Sequence, residues 1–345
     1  MHQHYEITIG DITYRDTVDH FENGLLRLLN MDRSTFEQWI TISSNISKPL
    51  LEQLSYGFMR LRHQAPAPRQ QPIDNSILHT PGELWCALDR EYYVIKSIDK
   101  SIGWLAKSQD GRLQREVEPP IYEENYFEGD PTLDGGYGKY AEQAGWRLEK
   151  ASRQLNEICQ TTGLTTGRAL DVGSGYGYFR RALDIAGWEH DGIEISKHAR
   201  QIAKKLYNYD TFDVSLSEYS HIATDNRRFD LITLWDVIEH IADPISFLQD
   251  AVTYLRPGGV LAIKTPNINC PEAEMFGSHY HSLKREHLVY LSDKSLQTIT
   301  GLADLSTHSI TSISHLLRGF VGEEQTKQWE VESRGSDLVG YFIKN

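Results

Sequence analysis

The pattern of apolar and polar positions is clearest between residues 168 and 267. The run RALDV (168–172) passes into glycines at alternate positions, 173, 175 and 177, and then into the helix-forming stretch YFRRAL. Such a run reads as a buried parallel strand, a tight turn and a crossover helix. WEHDGIEIS (188–196) predicts a second short strand with Glu194 at its carboxyl end, YDTFDV (209–214) a third, and Phe229 to Trp235 a fourth. Ile245, Phe247, Leu248, Val252 and Leu255 mark the buried face of a helix stopped by PGG (257–259), and Val260 to Lys264 predicts a fifth strand. Strands alternating with helices predict an α/β fold with a doubly wound, mostly parallel sheet.

The chain before this region has a different pattern. Residues 15 to 62 carry apolar positions at helical spacing, as in FENGLLRLLNM, and HQAPAPRQQPID (63–74) has the Pro and Gln content of a linker. LWCALDREYYVIKSIDKSIGWL (84–105) alternates like short hairpins, and YEENYFEGDPTLDGGYGKYAEQAGWRLEK (122–150) is crowded with Tyr, Gly and acids. The expected organisation is a helical region over 1–65, a small β region over 66–120, a connector over 121–150 and the α/β domain over 151–345.

The glycine turn suggests a ligand. Without Cβ atoms at 173, 175 and 177, a small molecule could lie against bare backbone. A dinucleotide fingerprint would place its third glycine at 178, where this chain has Tyr178, so a nucleoside without a pyrophosphate fits better. Glu194, 17 positions after Gly177, ends the neighbouring strand, where a carboxylate can accept both hydroxyls of a ribose.

Charge and composition narrow the partners. With 35 Lys and Arg against 48 Asp and Glu, the net charge is −13, which disfavours a nucleic acid partner. No apolar run approaches the roughly 20 residues that span a bilayer, so no membrane partner is expected. Three scattered cysteines predict a reducing, cytoplasmic setting without a disulfide framework.

Together, DVGSGYG, the acid ending strand two, LWDVIEH and LRPGGVLAIKTPN resemble the class I, Rossmann-like methyltransferases that depend on S-adenosyl-L-methionine, most closely the ubiquinone-biosynthesis and sugar O-methyltransferase group. The resemblance spans about residues 120 to 345 and implies a seven-stranded sheet. It implies that Asp171, Gly173, Gly175 and Gly177 hold the methionine part of the cofactor, Glu194 its ribose, and Ser215 and Leu216 its adenine. Trp235 would lie near the methyl-bearing sulfur or serve as a core aromatic, and Tyr126, Tyr137 and Tyr140 would fold over the cofactor as a lid or pack between regions. Residues 84–105 weakly resemble the zinc ribbon that precedes many of these enzymes. Only Cys86 matches a ligand, however, and Asp89, Ile95 and Ile98 stand where the other cysteines would be, so no zinc is expected there.

The acceptor chemistry follows from the same resemblance. Methyl transfer from a sulfonium needs alignment, and a hydroxyl acceptor must also lose a proton. REHLVYLS (285–292) matches the group's E-H-L-x-Y-x-S pattern and makes His287 the first candidate base, with His240 next and His279 and His281 behind. In DVIEH, Asp236, Glu239 and His240 would share one side of a helix. Some relatives bind a divalent cation with such a set, but the preferred reading has Asp236 capping the helix and no metal. The expected function is O-methylation of a small hydroxylated metabolite or sugar. The alternatives are N- or C-methylation and a non-catalytic, cofactor-binding regulatory or scaffold protein.

Overall fold

The computed structural model describes residues 4–9, 12–17, 82–87, 92–97, 104–108, 122–129, 137, 139–222, 228–276, 282, 284, 286–314 and 323–345. Strands β1 (His4–Ile9) and β2 (Ile12–Thr17) form an antiparallel hairpin. They fall within residues 1–65, the region expected to be helical, and residues 18–81 lie outside the described residues. Strands β3 (Gly82–Ala87), β4 (Tyr92–Ser97) and β5 (Trp104–Ser108) form an antiparallel meander.

The α/β part begins with a short helix α1 (Glu124–Glu128) and a long one, α2 (Ala144–Thr162). Then come β6 (Arg168–Val172), α3 (Tyr178–Ile185), β7 (Glu189–Ile193), α4 (Lys197–Tyr207), α5 (Leu216–Ile222) and β8 (Phe229–Trp235). After these lie α6 (Pro244–Tyr254), β9 (Leu255–Pro266), α7 (Pro271–Phe276), β10 (Val289–Tyr290), α8 (Asp293–Leu302), β11 (Leu305–Ile313), α9 (Glu323–Val331) and β12 (Asp337–Lys344). The main sheet runs β11-β12-β9-β8-β6-β7, parallel from β9 to β7 and antiparallel at β12 and β11.

Among the described residues this sheet has six strands rather than seven. The stretch 209–214 contributes a single parallel bridge, Phe212 to Ile193, with Phe212 N–H donating to Gly192 O and Glu194 N–H to Phe212 O. Its acids turn outward: Asp210 pairs with Lys204 at 2.8 Å and Asp213 with Arg200 at 2.5 Å. A second difference concerns Leu255, which opens β9 instead of closing the preceding helix, so the strand runs through PGG with Gly258 at φ +74°.

Strand alternation builds two cores. Leu170, Val172, Ile232, Leu234, Leu261, Ile263, Leu338 and Phe342 face one side, towards α5, α6 and α8. Their neighbours Ala169, Leu231, Val260, Ala262, Val339 and Tyr341 face the other, against Ala151, Leu155 and Ile158 of α2 and Phe179 of α3. Side chains two apart share a face and adjacent ones oppose, so both layers of helix are needed to bury one sheet. β6 lies between β7 and β8, and the chain order reverses there, which opens a crevice at the carboxyl ends of these strands.

Candidate active site

The glycine turn fills the mouth of that crevice. Gly173 and Gly175 adopt φ +70° and +51°, a region in which side chains are strained. A Cβ at Gly173 would also meet Val237 Cγ2 at 2.6 Å. Gly173 and Ser174 donate their N–H groups to Ile193 O, and Gly175 donates to Glu194 Oε2 at 2.8 Å. Glu194 Oε1 accepts from Ser196 N–H at 2.7 Å. Backbone N–H groups therefore brace both oxygens of the carboxylate. Burial raises its pKa, and these N–H groups oppose the rise. Asp171 is 2% exposed and accepts from Thr233 Oγ1 at 2.7 Å. Burial pushes its carboxyl up to about 7 against that bond and the Arg180 guanidinium.

The adenine candidates separate. Ser215 and Glu218 cap α5 reciprocally, Ser215 N–H donating to Glu218 Oε2 at 2.9 Å and Glu218 N–H to Ser215 Oγ at 3.4 Å. The Leu216 side chain is buried in the core, so its approach to a ligand would be through backbone. Trp235 packs on Phe179 with ring centroids 5.2 Å apart, and its Nε1 is buried without a hydrogen-bond partner among the described residues.

The connector closes over the turn as an aromatic layer. Tyr126 meets Tyr122 and Tyr137 edge-on at 4.9 and 5.7 Å, and burial raises the hydroxyl pKa of both Tyr126 and Tyr137. The Tyr140 hydroxyl comes 3.3 Å from where a Gly175 Cβ would stand. Glu128 Oε1 accepts from the Tyr176 hydroxyl at 2.7 Å and from Ala141 N–H at 2.9 Å, latching α1 to the turn. The Arg147 guanidinium lies 3.5 Å above the Tyr140 ring. Sequence reasoning missed Glu128 and Arg147, because neither stands in a local motif.

Towards β8 and β9 the acceptor candidates gather. Asp236 does not cap a helix: DVIEH makes only a 3-10 turn over Ile238–His240, with no side-chain cap bond at its N-cap Val237. Asp236 instead turns at φ +56° and donates its N–H to Lys264 O, while its carboxylate holds Lys264 Nζ at 2.5 Å. Asp337 holds the same ammonium at 3.0 Å. Lys264 stands beside Trp235 in the β8–β9 register, which brings it to Asp236. Sequence reading gave neither Lys264 nor Asp337 a place in the site, because cross-strand register is not local.

Glu239, His240 and His287 do come together. The His240 and His287 rings stand perpendicular with centroids 4.8 Å apart. His240 Nδ1 lies 2.9 Å from Glu286 O and 3.3 Å from the Tyr122 hydroxyl, and burial lowers its pKa to about 4. Glu239 is 2% exposed; burial, then Asp236, raises its pKa, and Oε2 accepts from Thr265 Oγ1 at 3.0 Å. Leu288 N–H donates to Glu239 O at 2.7 Å, and Ile268 N–H to Leu291 O, which seat the His287 segment against the sheet edge. One nitrogen or carboxylate oxygen from each of the three residues lies within 4.8 Å of the others, a set that could hold a metal ion. His279 and His281 lie outside the described residues.

The glycine turn, the acid beside it and the imidazoles across the crevice make up the candidate site, and comparison with known proteins shows what this region is similar to. Residues 140–310 match a family model described as a methyltransferase domain. The ubiquinone biosynthesis O-methyltransferase of Haemophilus ducreyi is 31% identical over 115 residues, 31% of this chain and 49% of that protein. That of Azoarcus sp. is 32% identical over 120 residues, 34% of this chain and 51% of that protein. The chain spans about half the length of these curated relatives. Among solved structures, an S-adenosylmethionine-dependent methyltransferase from Archaeoglobus fulgidus aligns with TM-score 0.45 and 16% identity, covering 59% of this chain and 99% of that one. The plantazolicin methyltransferase in complex with S-adenosylhomocysteine aligns with TM-score 0.42 and 17% identity, covering 59% and 86%.

The matched region of the chain, residues 140–310, is thus similar to a methyltransferase domain. Among the described residues no helix is long and apolar enough to cross a membrane.

Proposed function

We propose that the enzyme methylates a hydroxyl group of a small metabolite, a sugar or a similarly hydroxylated compound. The observation that carries this reading is the convergence of Glu239, His240 and His287 at the carboxyl edge of the sheet. The cofactor, when bound, supplies a methyl group already activated on a sulfonium, so the protein's task is alignment and proton removal. Asp171, the glycines at 173, 175 and 177, and Glu194 would hold the cofactor; Ser215 and the backbone at Leu216 would border its adenine. The aromatic layer of Tyr126, Tyr137 and Tyr140 would keep water from the reacting centre.

Proton removal falls to the imidazoles. Glu286 O can only accept, so the contact to His240 fixes the proton on Nδ1 and leaves a lone pair on Nε2. His287, packed against that ring, is the other candidate base. An amine that arrives deprotonated would need no such cluster, which favours oxygen as the nucleophile. The relatives named as ubiquinone biosynthesis O-methyltransferases lend the same direction. The test is transfer of a labelled methyl group from the cofactor to paired acceptors that differ only in hydroxyl against amine. Product on the hydroxyl member supports the reading; product only on amines or carbons overturns it.

A further inference from the structure

One ladder reaches the acceptor side of the site from outside the main sheet. β10 begins two residues beyond His287 and pairs antiparallel with β5, Val289 opposite Leu105 and Tyr290 opposite Trp104. The N-terminal meander thus continues into the REHLVYLS segment as a sheet of order β10-β5-β4-β3. The α/β part holds the same segment through other contacts: Leu288 N–H donates to Glu239 O at 2.7 Å, and Leu291 bridges Asn267, the residue after β9. Val289, Tyr290 and Leu291 are buried. A strand of two residues carries little register of its own, and a slip of one position would exchange the faces of Val289 and Tyr290. The same slip would carry the His287 ring away from its place 4.8 Å from that of His240. The hydrogen bonds that brace Glu194 and the glycine turn, by contrast, are made within the α/β part.

We propose that β5 positions the acceptor half of the site: its pairing with β10 sets the register of residues 287–291 and, through it, the place of His287. The effect on turnover rests on the reading of His287 as the base, whereas the effect on the place of His287 does not. A shift of about 1 Å in a reacting group can cost ~100-fold in rate, so a backbone ladder two residues from the imidazole is near enough to govern proton removal. The meander thereby acts on the acceptor half-reaction and leaves cofactor binding to the glycine turn and Glu194.

The test uses the full-length protein. Opposed residues of an antiparallel pair have Cα atoms roughly 4.5 to 5.5 Å apart, within reach of a disulfide. Either Leu105→Cys with Val289→Cys or Trp104→Cys with Tyr290→Cys should therefore cross-link on mild oxidation, as mass mapping of the bridged peptides would show. Leu105→Pro removes a backbone N–H from β5. It should displace the imidazole NMR signal of His287, assigned by its loss in His287→Asn, and shift its titration. Calorimetric affinity for S-adenosylhomocysteine should stay within about threefold of wild type. Leu105→Val, which keeps the N–H, should show the wild-type signal. Trp104→Pro takes the place of Leu105→Pro if that variant no longer binds S-adenosylhomocysteine. With an acceptor in hand, kcat of the proline variant should fall by roughly 100-fold. The proposal is overturned if neither pair cross-links, or if His287 keeps its signal and titration in a proline variant that still binds S-adenosylhomocysteine. Should the signal move while kcat is unchanged, the positioning role falls. Should the wild-type pH profile lack an imidazole limb while the signal still moves, only the reading of His287 as the base falls.

Discussion

Glu194 Oε2 accepts the N–H of Gly175 at 2.8 Å, so the acid expected to hold the ribose also braces the glycine turn. The two tasks are joined through one carboxylate. Glu194→Ala should therefore weaken S-adenosylhomocysteine binding by on the order of 1.5 to 3 kcal/mol for each charge-assisted bond lost. It should also lower the melting temperature of the free protein, because Gly175 and Ser196 lose their acceptor. Calorimetry and thermal melts on one preparation separate the effects. Unchanged affinity would remove Glu194 from the ribose.

Asp171 gives a pH signature. Its folded pKa of about 7 lies above the usual carboxylate value, so the folded state holds a proton that the unfolded state releases. Its contribution is fully present below about pH 4 and is lost as pH rises to about 7. Asp171→Asn, neutral throughout, should gain stability relative to the wild type across that window, by at most about 4 kcal/mol. Urea melts of both proteins without cofactor would show the difference growing with pH. A difference that is constant from pH 4 to 8 would mean that Asp171 is ionised in the folded state.

Lys264 is 8% exposed in its side chain and is shared by two acids. Lys264→Met should destabilise the fold by roughly 3 to 5 kcal/mol, because Asp236 and Asp337 lose the buried ammonium they share. Adding Asp236→Asn should recover part of that loss, the non-additivity expected of contacting groups. Denaturant titration of the single and double variants measures it. Strictly additive losses would show that the triad is not a unit.

His287→Ala should lower kcat by roughly 100- to 10,000-fold with cofactor affinity nearly unchanged, once an acceptor is found. A purely structural role would show as poor folding or a raised KM with kcat kept. Measuring kcat on a variant that still binds S-adenosylhomocysteine decides between them.

What the sequence revealed was local. The glycine spacing, the apolar runs and the acid after β7 are contiguous signals, and each reappears at the crevice. What stayed hidden depends on register. Asp236 looks like a helix cap until β8 and β9 are paired, when Lys264 draws it into a left-handed turn. The stretch 209–214, expected as a strand, makes one bridge, while Asp210 and Asp213 pair with cations on α4, contacts that hydrophobic periodicity does not weigh. Leu216 looked like a pocket residue by position and is a core residue by packing.

The order of strands sets a schedule for assembly. β12 comes last among the described strands in chain order, yet it lies inside the sheet, between β9 and β11. While the chain is being synthesised, β9 presents an open edge to the ribosome exit and its surroundings until residues 337–344 emerge. An open edge is a template for pairing with a stranger. Nascent chains should thus depend on holding chaperones through the stretch after β9, and lesions in β12 should appear first as aggregates, before any loss in the turnover of correctly folded molecules.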